Sequence, residues 1–384
     1  MLCIKNANVV QPDGIIYDGV VLIDGDRIVS VTSGKDAQIP DSTEIIDAEG
    51  AYVGPGLVDI HVHGGGGNVF GTKNNERIID YYLSYGTTTI FPTFYMTMSK
   101  DEMIASIKSI RELMNNHSIG KAVGGVYMEG PFMNPKYGAD TSSFAWNSGK
   151  IQPEDFTELV DAAADTVKVW AVAPERKGIE CFMQYAKKVN PDVHFAVGHS
   201  EATPAQIEPL KKYNMNISTH VTNAKGTASE WAGVRGCGPD EDCLFDDNTY
   251  AEMICDSEGV HVNPFMQKLI LKIKGKDRII LITDGAINND PNPVGFEHMT
   301  DLAFDSNCNL AGSRLTMDGA CRNFMKHTNS GIEQAFKVAA SNPAKALDMY
   351  DEIGSLESEK KANIVFVDDM FNIKKVMLFG EIVK

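Results

Sequence analysis

Through the middle of the chain, short apolar runs rich in β-branched residues alternate with amphipathic stretches. Eight runs stand out: "GLVDIHV", "GTTTIFPTF", "AVGGVYME", "TVKVWAVAP", "VHFAVGH", "MNISTHV", "YAEMICD" and "RIILITD". Their near-continuous apolar character suits strands of a parallel sheet covered on both faces. Between most of them the pattern is helical. Ser99 and Glu102 have the spacing of a capping box, and Thr203, Pro204 and Gln206 give another helix start with proline at its first position. Between the sixth and seventh runs, "GTASEWAGVRGCGPDED" reads as a loop. Eight β/α units over roughly 250 residues predict an α/β protein built on a (β/α)8 barrel.

The two ends of the chain follow a different rhythm. The first 50 residues and the last 30 read as short strands punctuated by Asp-Gly and Ser-Gly turns, as in "GVVLIDGDRIVSVTSG" and "ANIVFVDDM". They are expected to pair into one small β-sandwich domain, residues 1–54 with 355–384, flanking a barrel over 55–354.

Composition narrows the partners. The 384 residues are 43% hydrophobic and 23% charged, as in soluble globular proteins. The net charge of −17 argues against a nucleic-acid or anionic-membrane surface. No apolar run reaches the ~18 residues of a membrane span, and "MLCIKNANVV" lacks the apolar core of a signal peptide. Seven cysteines without framework spacing point to free thiols and a cytoplasmic location. The closest-spaced pair, Cys237 and Cys243 in "CGPDEDC", reads as loop or strand cysteines rather than a metal site.

The unusual residues fall at the C-terminal ends of the predicted strands. His61 and His63 close the first, Glu129 the third, His199 the fifth, His220 the sixth and Asp284 the eighth. Barrel enzymes build their active sites at that end. Residues i and i+2 of a strand share a face, so His61 and His63 can both point into the barrel mouth. Any one of these residues alone reads more simply as a structural histidine or a turn aspartate. Together, imidazole and carboxylate ligands suit zinc or a similar divalent metal. The four glycines after His63 allow a sharp turn or a close approach. A metal-bound hydroxide, available at neutral pH, with Asp284 as general base and then acid, is the chemistry of hydrolysis at a carbonyl centre. His117, His194, His298 and His327 lack that context and read as surface or core residues.

At this point the chain resembles the amidohydrolase superfamily and, within it, the N-acetylglucosamine-6-phosphate deacetylase family. The resemblance is carried by "PGLVDIHVHG", "MEGPFMNP", "VGHSEAT", "THVTNA", "EGVHV", "LITDG", "LAGSRLTMDG" and "SNPAKAL", and spans nearly the whole chain. It implies Glu129, His199 and His220 as ligands of one metal. His61 and His63 would be the pair that holds a second, with Glu129 bridging. It implies substrate contacts at Ala139, Asp140, Asn223, Ala224, His261, Leu310, Ala311 and Gly312, one or two divalent ions (zinc, with iron, manganese or cobalt as alternatives), and a homodimer. The implied reaction is removal of the acetyl group from N-acetylglucosamine 6-phosphate.

The sequence departs from the family in three places. Asp140 stands where a His or Gln is usual; a His there helps polarise the amide carbonyl, and an anion cannot. After "THVTNA" the phosphate-gripping Arg is missing: Glu230 and Trp231 lie near its place, with Lys225 and Arg235 as nearby substitutes. Gly285 follows Asp284 where Ala is more frequent. The competing enzyme reading is therefore a sibling acting on N-acetylgalactosamine 6-phosphate, an unphosphorylated N-acetyl sugar or an N-acyl amino acid. A non-catalytic binding protein is disfavoured, because neither Asp284 nor any candidate ligand is lost.

Overall fold

The computed structural model describes residues 1–138, 149–227, 231, 233–286, 292–305 and 307–384. Eight strands lie side by side in chain order, all parallel: β1 (Leu57–Val62), β2 (Thr87–Tyr95), β3 (Val126–Glu129), β4 (Val167–Val172), β5 (His194–Val197), β6 (Met215–Ser218), β7 (Tyr250–Ile254) and β8 (Ile279–Ile282). Each of the eight apolar runs supplies one of these strands. The sheet closes where Val62 bridges Gly285, with the His63 N–H donating to the Gly285 carbonyl (2.7 Å) and the Asp284 N–H to that of His61 (3.0 Å). Asp59 reinforces the seam from inside β1: it accepts from the Thr283 hydroxyl (2.5 Å) and from the Thr283 N–H (3.3 Å). Burial pushes its carboxyl up to about 7, against the pull of these hydrogen bonds.

Helices cover the barrel after each strand. Lys100–Asn116 opens with the expected capping box: the Glu102 side chain accepts from the Ser99 N–H at 2.8 Å, and Ser99 Oγ accepts from the Glu102 N–H at 3.3 Å. At Pro204–Ile207 the Gln206 side chain accepts from the Thr203 N–H at 2.9 Å. The stretch expected as a loop between β6 and β7 runs at its end into a helix, Pro239–Phe245. Its signals are terminal rather than periodic: proline at the first position, and Asp240, Glu241 and Asp242 facing the positive end of the helix dipole. Seven residues are too few for an apolar period to show.

The barrel interior is filled by Val58, Ile60, Phe91, Val169, Ile217 and Ile280, among others. The terminal segments form a separate eight-stranded sheet. Tyr52–Pro55 joins the two ends, running antiparallel to Ile364–Val367 on one side and parallel to Leu2–Gln11 on the other. Leu2–Gln11 pairs with Glu44–Asp47 through its first half and with Tyr52–Pro55 further on, so the sheet branches there and encloses a core of Ile4, Val9, Val21, Val53, Ile364 and Phe366. Its other face packs on the barrel helices: a Cβ on Gly54 would lie 2.4 Å from the Phe336 ring. Among the described residues, no helix is long and apolar enough to cross a membrane.

Candidate active site

The candidate residues reach the barrel mouth in two ways. His61 lies within β1 and His63 one residue past it, and their rings sit 5.2 Å apart, centroid to centroid. His199, His220 and Asp284 each lie two residues beyond the end of β5, β6 and β8. All three have left-handed backbone, with φ of 47°, 26° and 47°. Such a conformation costs about 1–3 kcal/mol per residue and persists only where the surroundings enforce it. The repeated bend ends each strand and turns its side chain toward the common centre.

The four glycines after His63 are explained by turn and packing. Gly64–Gly65 and Asn68–Val69 form a small hairpin, with Gly66 and Gly67 at φ 57° and 80° in its turn. A Cβ on Gly64 would lie 2.4 Å from the Asn68 carbonyl oxygen, and one on Gly65 would lie 2.6 Å from the Tyr82 ring. Gly285, the departure from the family's Ala, is equally constrained: a Cβ there would meet the Tyr82 hydroxyl at 2.0 Å.

Glu129 stands between two groups of side chains. Its Oε1 lies 2.9 Å from His199 Nε2 and 3.0 Å from His220 Nε2. Its Oε2 lies 3.1 Å from His63 Nε2 and 3.6 Å from His61 Nε2. Asp284 Oδ1 completes the second group, 3.3 Å from His63 Nε2 and 3.7 Å from His61 Nε2. In each group, one donor atom from every member lies within 4.8 Å of the others: His61, His63 and Asp284 in one, Glu129, His199 and His220 in the other.

The opposite ring nitrogens are all tied off. Nδ1 of His63 meets the Thr93 carbonyl (3.2 Å), that of His199 the Tyr137 carbonyl (3.0 Å), and that of His220 the Asn223 carbonyl (3.1 Å). Nδ1 of His61 meets the Glu252 carboxylate at 3.3 Å. Carbonyls and carboxylates only accept, so each Nδ1 carries the proton and each Nε2 is left for the centre. His61 Nε2 is buried with no hydrogen-bond partner among the described residues.

This donor set fits divalent metal ions. Neutral Nε2 lone pairs facing carboxylates repel unless positive charge lies between them. With no ion, protons must supply that charge. Burial pushes His61 and His63 down, yet the surrounding carboxylates outweigh it: Glu129, Glu252 and Asp284 hold His61 well above its ordinary value, and Asp284 and Glu129 lift His63 to about 9. Burial alone would raise Glu129, but His61 and His199 hold it well below the usual carboxylate range.

The mouth opens into a cavity of about 1080 Å³. Asn223, Ala224, His261, Leu310, Ala311 and Gly312 all line it, as do His63, Glu129, His199, His220 and Asp284. Asp256 Oδ2 accepts from His261 Nδ1 (3.1 Å) and from the His261 N–H (2.8 Å), leaving the buried Nε2 without a partner among the described residues. Ala139, Asp140 and Glu230 lie outside the described residues. Neither substitute for the missing Arg lines the cavity. Lys225 is buried, donating to Ser218 Oγ (2.7 Å) and Asp240 (3.2 Å), and Arg235 is ion-paired with Glu241. Both basic groups are spent on their own loop. Trp231 is exposed and also absent from the lining.

Three carboxylates escaped the sequence reading: Asp59, Glu252 and Asp256. The first two had a signal. Each is the only carboxylate within its strand, Leu57–Val62 or Tyr250–Ile254, and a strand covered on both faces keeps a charge only where it is paired.

Comparison with known proteins identifies the family. Residues 52–383 match the model of the amidohydrolase family. The chain is 27% identical over 381 residues to N-acetylglucosamine-6-phosphate deacetylase of Bacillus subtilis, covering 95% of this chain and 93% of that one. It is equally 27% identical over 378 residues to N-acetylgalactosamine-6-phosphate deacetylase of Escherichia coli O157:H7, covering 93% and 94%. The crystal structure of N-acetylglucosamine-6-phosphate deacetylase from Pasteurella multocida superposes with a TM-score of 0.85 over 99% of both chains at 24% identity, and so shares the fold. The chain belongs to the amidohydrolase family, and together with its deacetylase relatives this makes it a hydrolase acting on amide bonds.

Proposed function

We propose that the protein is a metal-dependent deacetylase that hydrolyses the N-acetyl amide of an amino sugar 6-phosphate, N-acetylglucosamine 6-phosphate in the first instance. The observation that carries this reading is Glu129 between two histidine groups, with Asp284 beside it at the floor of a sugar-sized cavity. The names of the relatives support the amino-sugar substrate. His199, His220 and Glu129 would hold one ion, and His61, His63 and Asp284, with Glu129, a second; zinc suits the nitrogen-rich set. A divalent ion so held lowers the pKa of water from about 15.7 to roughly 7 and polarises a carbonyl oxygen.

The remaining steps belong to the chain. Burial pushes the Asp284 carboxyl up, but the His63 hydrogen bond and the charges of His61 and His63 leave it below the ordinary value. As a carboxylate it would accept a proton from the attacking water and return it to the departing amine. His261, held by Asp256 with Nδ1 protonated, offers Nε2 as an acceptor for a sugar hydroxyl. Asn223 shapes the same wall: its carbonyl accepts from His220 and its amide donates to the His261 carbonyl (3.1 Å).

One observation favours a second reading, an unphosphorylated N-acetyl sugar. No Lys or Arg lines the cavity among the described residues, and by sequence none of the other residues is Lys or Arg. A 6-phosphate would have to be met by neutral donors such as Asn307 and Asn309, or by cations of a second copy in a homodimer. The proposal includes a cytoplasmic location and a division into a barrel, residues 55–354, and a small domain from 1–54 and 355–384.

The test is amine release from N-acetylglucosamine 6-phosphate and from N-acetylglucosamine, side by side, with zinc added and Asp284→Asn as the blank. Preference for the phosphate supports the main reading, and preference for the free sugar supports the second. Turnover of neither by metal-loaded protein overturns both.

A further inference from the structure

Glu252 is a carboxylate in an unusual place. It lies in the middle of β7 and is fully buried. Tyr250 and Ile254, two residues away on either side, belong to the barrel-interior cluster, so Glu252 faces the same interior. An ionised carboxylate there costs several kcal/mol unless compensated. Its Oε2 meets His61 Nδ1 at 3.3 Å and accepts the backbone N–H of His220 at 3.2 Å. Its Oε1 has no hydrogen-bond partner among the described residues.

These two contacts reach both candidate metal groups. The first fixes the proton of His61 on Nδ1 and leaves Nε2, itself without a partner among the described residues, for the centre. Among the four histidines of the two groups, the other three ring nitrogens are fixed by neutral carbonyls, and only that of His61 is fixed by an anion. The second contact holds the residue with φ 26° at the end of β6. Charge counting points the same way. Glu129, Asp284 and Glu252 bring three carboxylates to the centre. One divalent ion leaves a negative charge uncompensated, and two reverse the balance.

We propose that Glu252 is a positioning residue that selects for an ion in the His61–His63–Asp284 group, by orienting His61 and supplying the charge that a second divalent ion requires. This rests on the two-group metal reading above. Loss of such a partner behind a metal-binding histidine typically weakens binding about 10- to 100-fold.

The experiment is zinc stoichiometry and affinity by chelator competition on metal-stripped, reconstituted protein, with the cobalt(II) absorption spectrum as an independent readout. Wild type, Glu252→Gln and His61→Asn are compared. The expected result is two ions in wild type. In Glu252→Gln, one ion is held as in wild type and the other about 10- to 100-fold more weakly, with the matching part of the cobalt spectrum lost. If the Gln variant does not fold, Glu252→Asp, which keeps the charge but shortens the reach, is expected to weaken the same single ion by a smaller factor. A Glu252 variant that holds both ions as wild type does, while His61→Asn loses one, overturns the proposal alone. Equal weakening of both ions shows a merely structural role and also overturns it. Wild type that binds one ion or none sinks the two-group reading, and the proposal with it.

Discussion

The two ligand groups meet at one glutamate yet are built by different means. His61 and His63 come from the end of a single strand and the residue just past it, two residues apart, and so share a face. The His199–His220 group comes from separate strands, and both histidines sit past the strand end in left-handed backbone. The His61–His63 pair is written into local periodicity, although Asp284, which completes its group, arrives from β8 through the same left-handed bend. The His199–His220 pair exists only because the barrel closes and its surroundings hold a strained bend in place. Replaceability should differ accordingly: the His61–His63 pair depends on side chains and on Glu252 behind them, and the His199–His220 pair on backbone geometry as well.

Glu129 is where the comparison can be broken most completely, since its two oxygens serve both groups. Glu129→Gln should lose tight zinc binding at both and abolish measurable turnover; elemental analysis of purified protein checks it. Asp284→Asn should lower kcat about 10²- to 10⁴-fold, the usual worth of a general acid–base, while KM moves much less. An equal rise in KM would point instead to a substrate-binding role. Next, His220→Asn and His63→Asn should separate the groups. Each should lose one ion in chelator titrations, and the variant that loses more turnover marks the ion that matters more for the chemistry. The reading of Glu129, His199 and His220 as the main set expects that to be His220→Asn. The smallest effect concerns the hairpin after His63. Gly64→Ala should destabilise by about 1–3 kcal/mol through overpacking against the Asn68 backbone. Gly67→Ala, with open space around it but φ of 80°, should cost only about 1–2 kcal/mol. Urea unfolding of the two variants checks the order.

Much of this was legible before any coordinates. The apolar runs predicted the eight strands because parallel strands, covered on both faces, leave an unbroken trace. Ser99 and Glu102 predicted a helix start because capping is local chemistry, and the helix begins there. The short helix Pro239–Phe245 was missed because seven residues carry no clear period. Lys225 and Arg235 looked like stand-ins for a lost Arg because they are near it in sequence, but ion pairing within their own loop keeps both from the cavity.

By itself, then, the sequence determined the strand order, the barrel and the identity of six candidate residues at the mouth. Each depends on residue type and short-range spacing, which folding does not alter. Tertiary structure decided the rest. It set which oxygen of Glu129 faces which histidines, which ring nitrogen of each His is left for the centre, and which cations are already spent. It also gave two carboxylates inside apolar strands their partners. Those are matters of distance between residues far apart in the chain, and in a barrel such distances exist only once β1 has met β8.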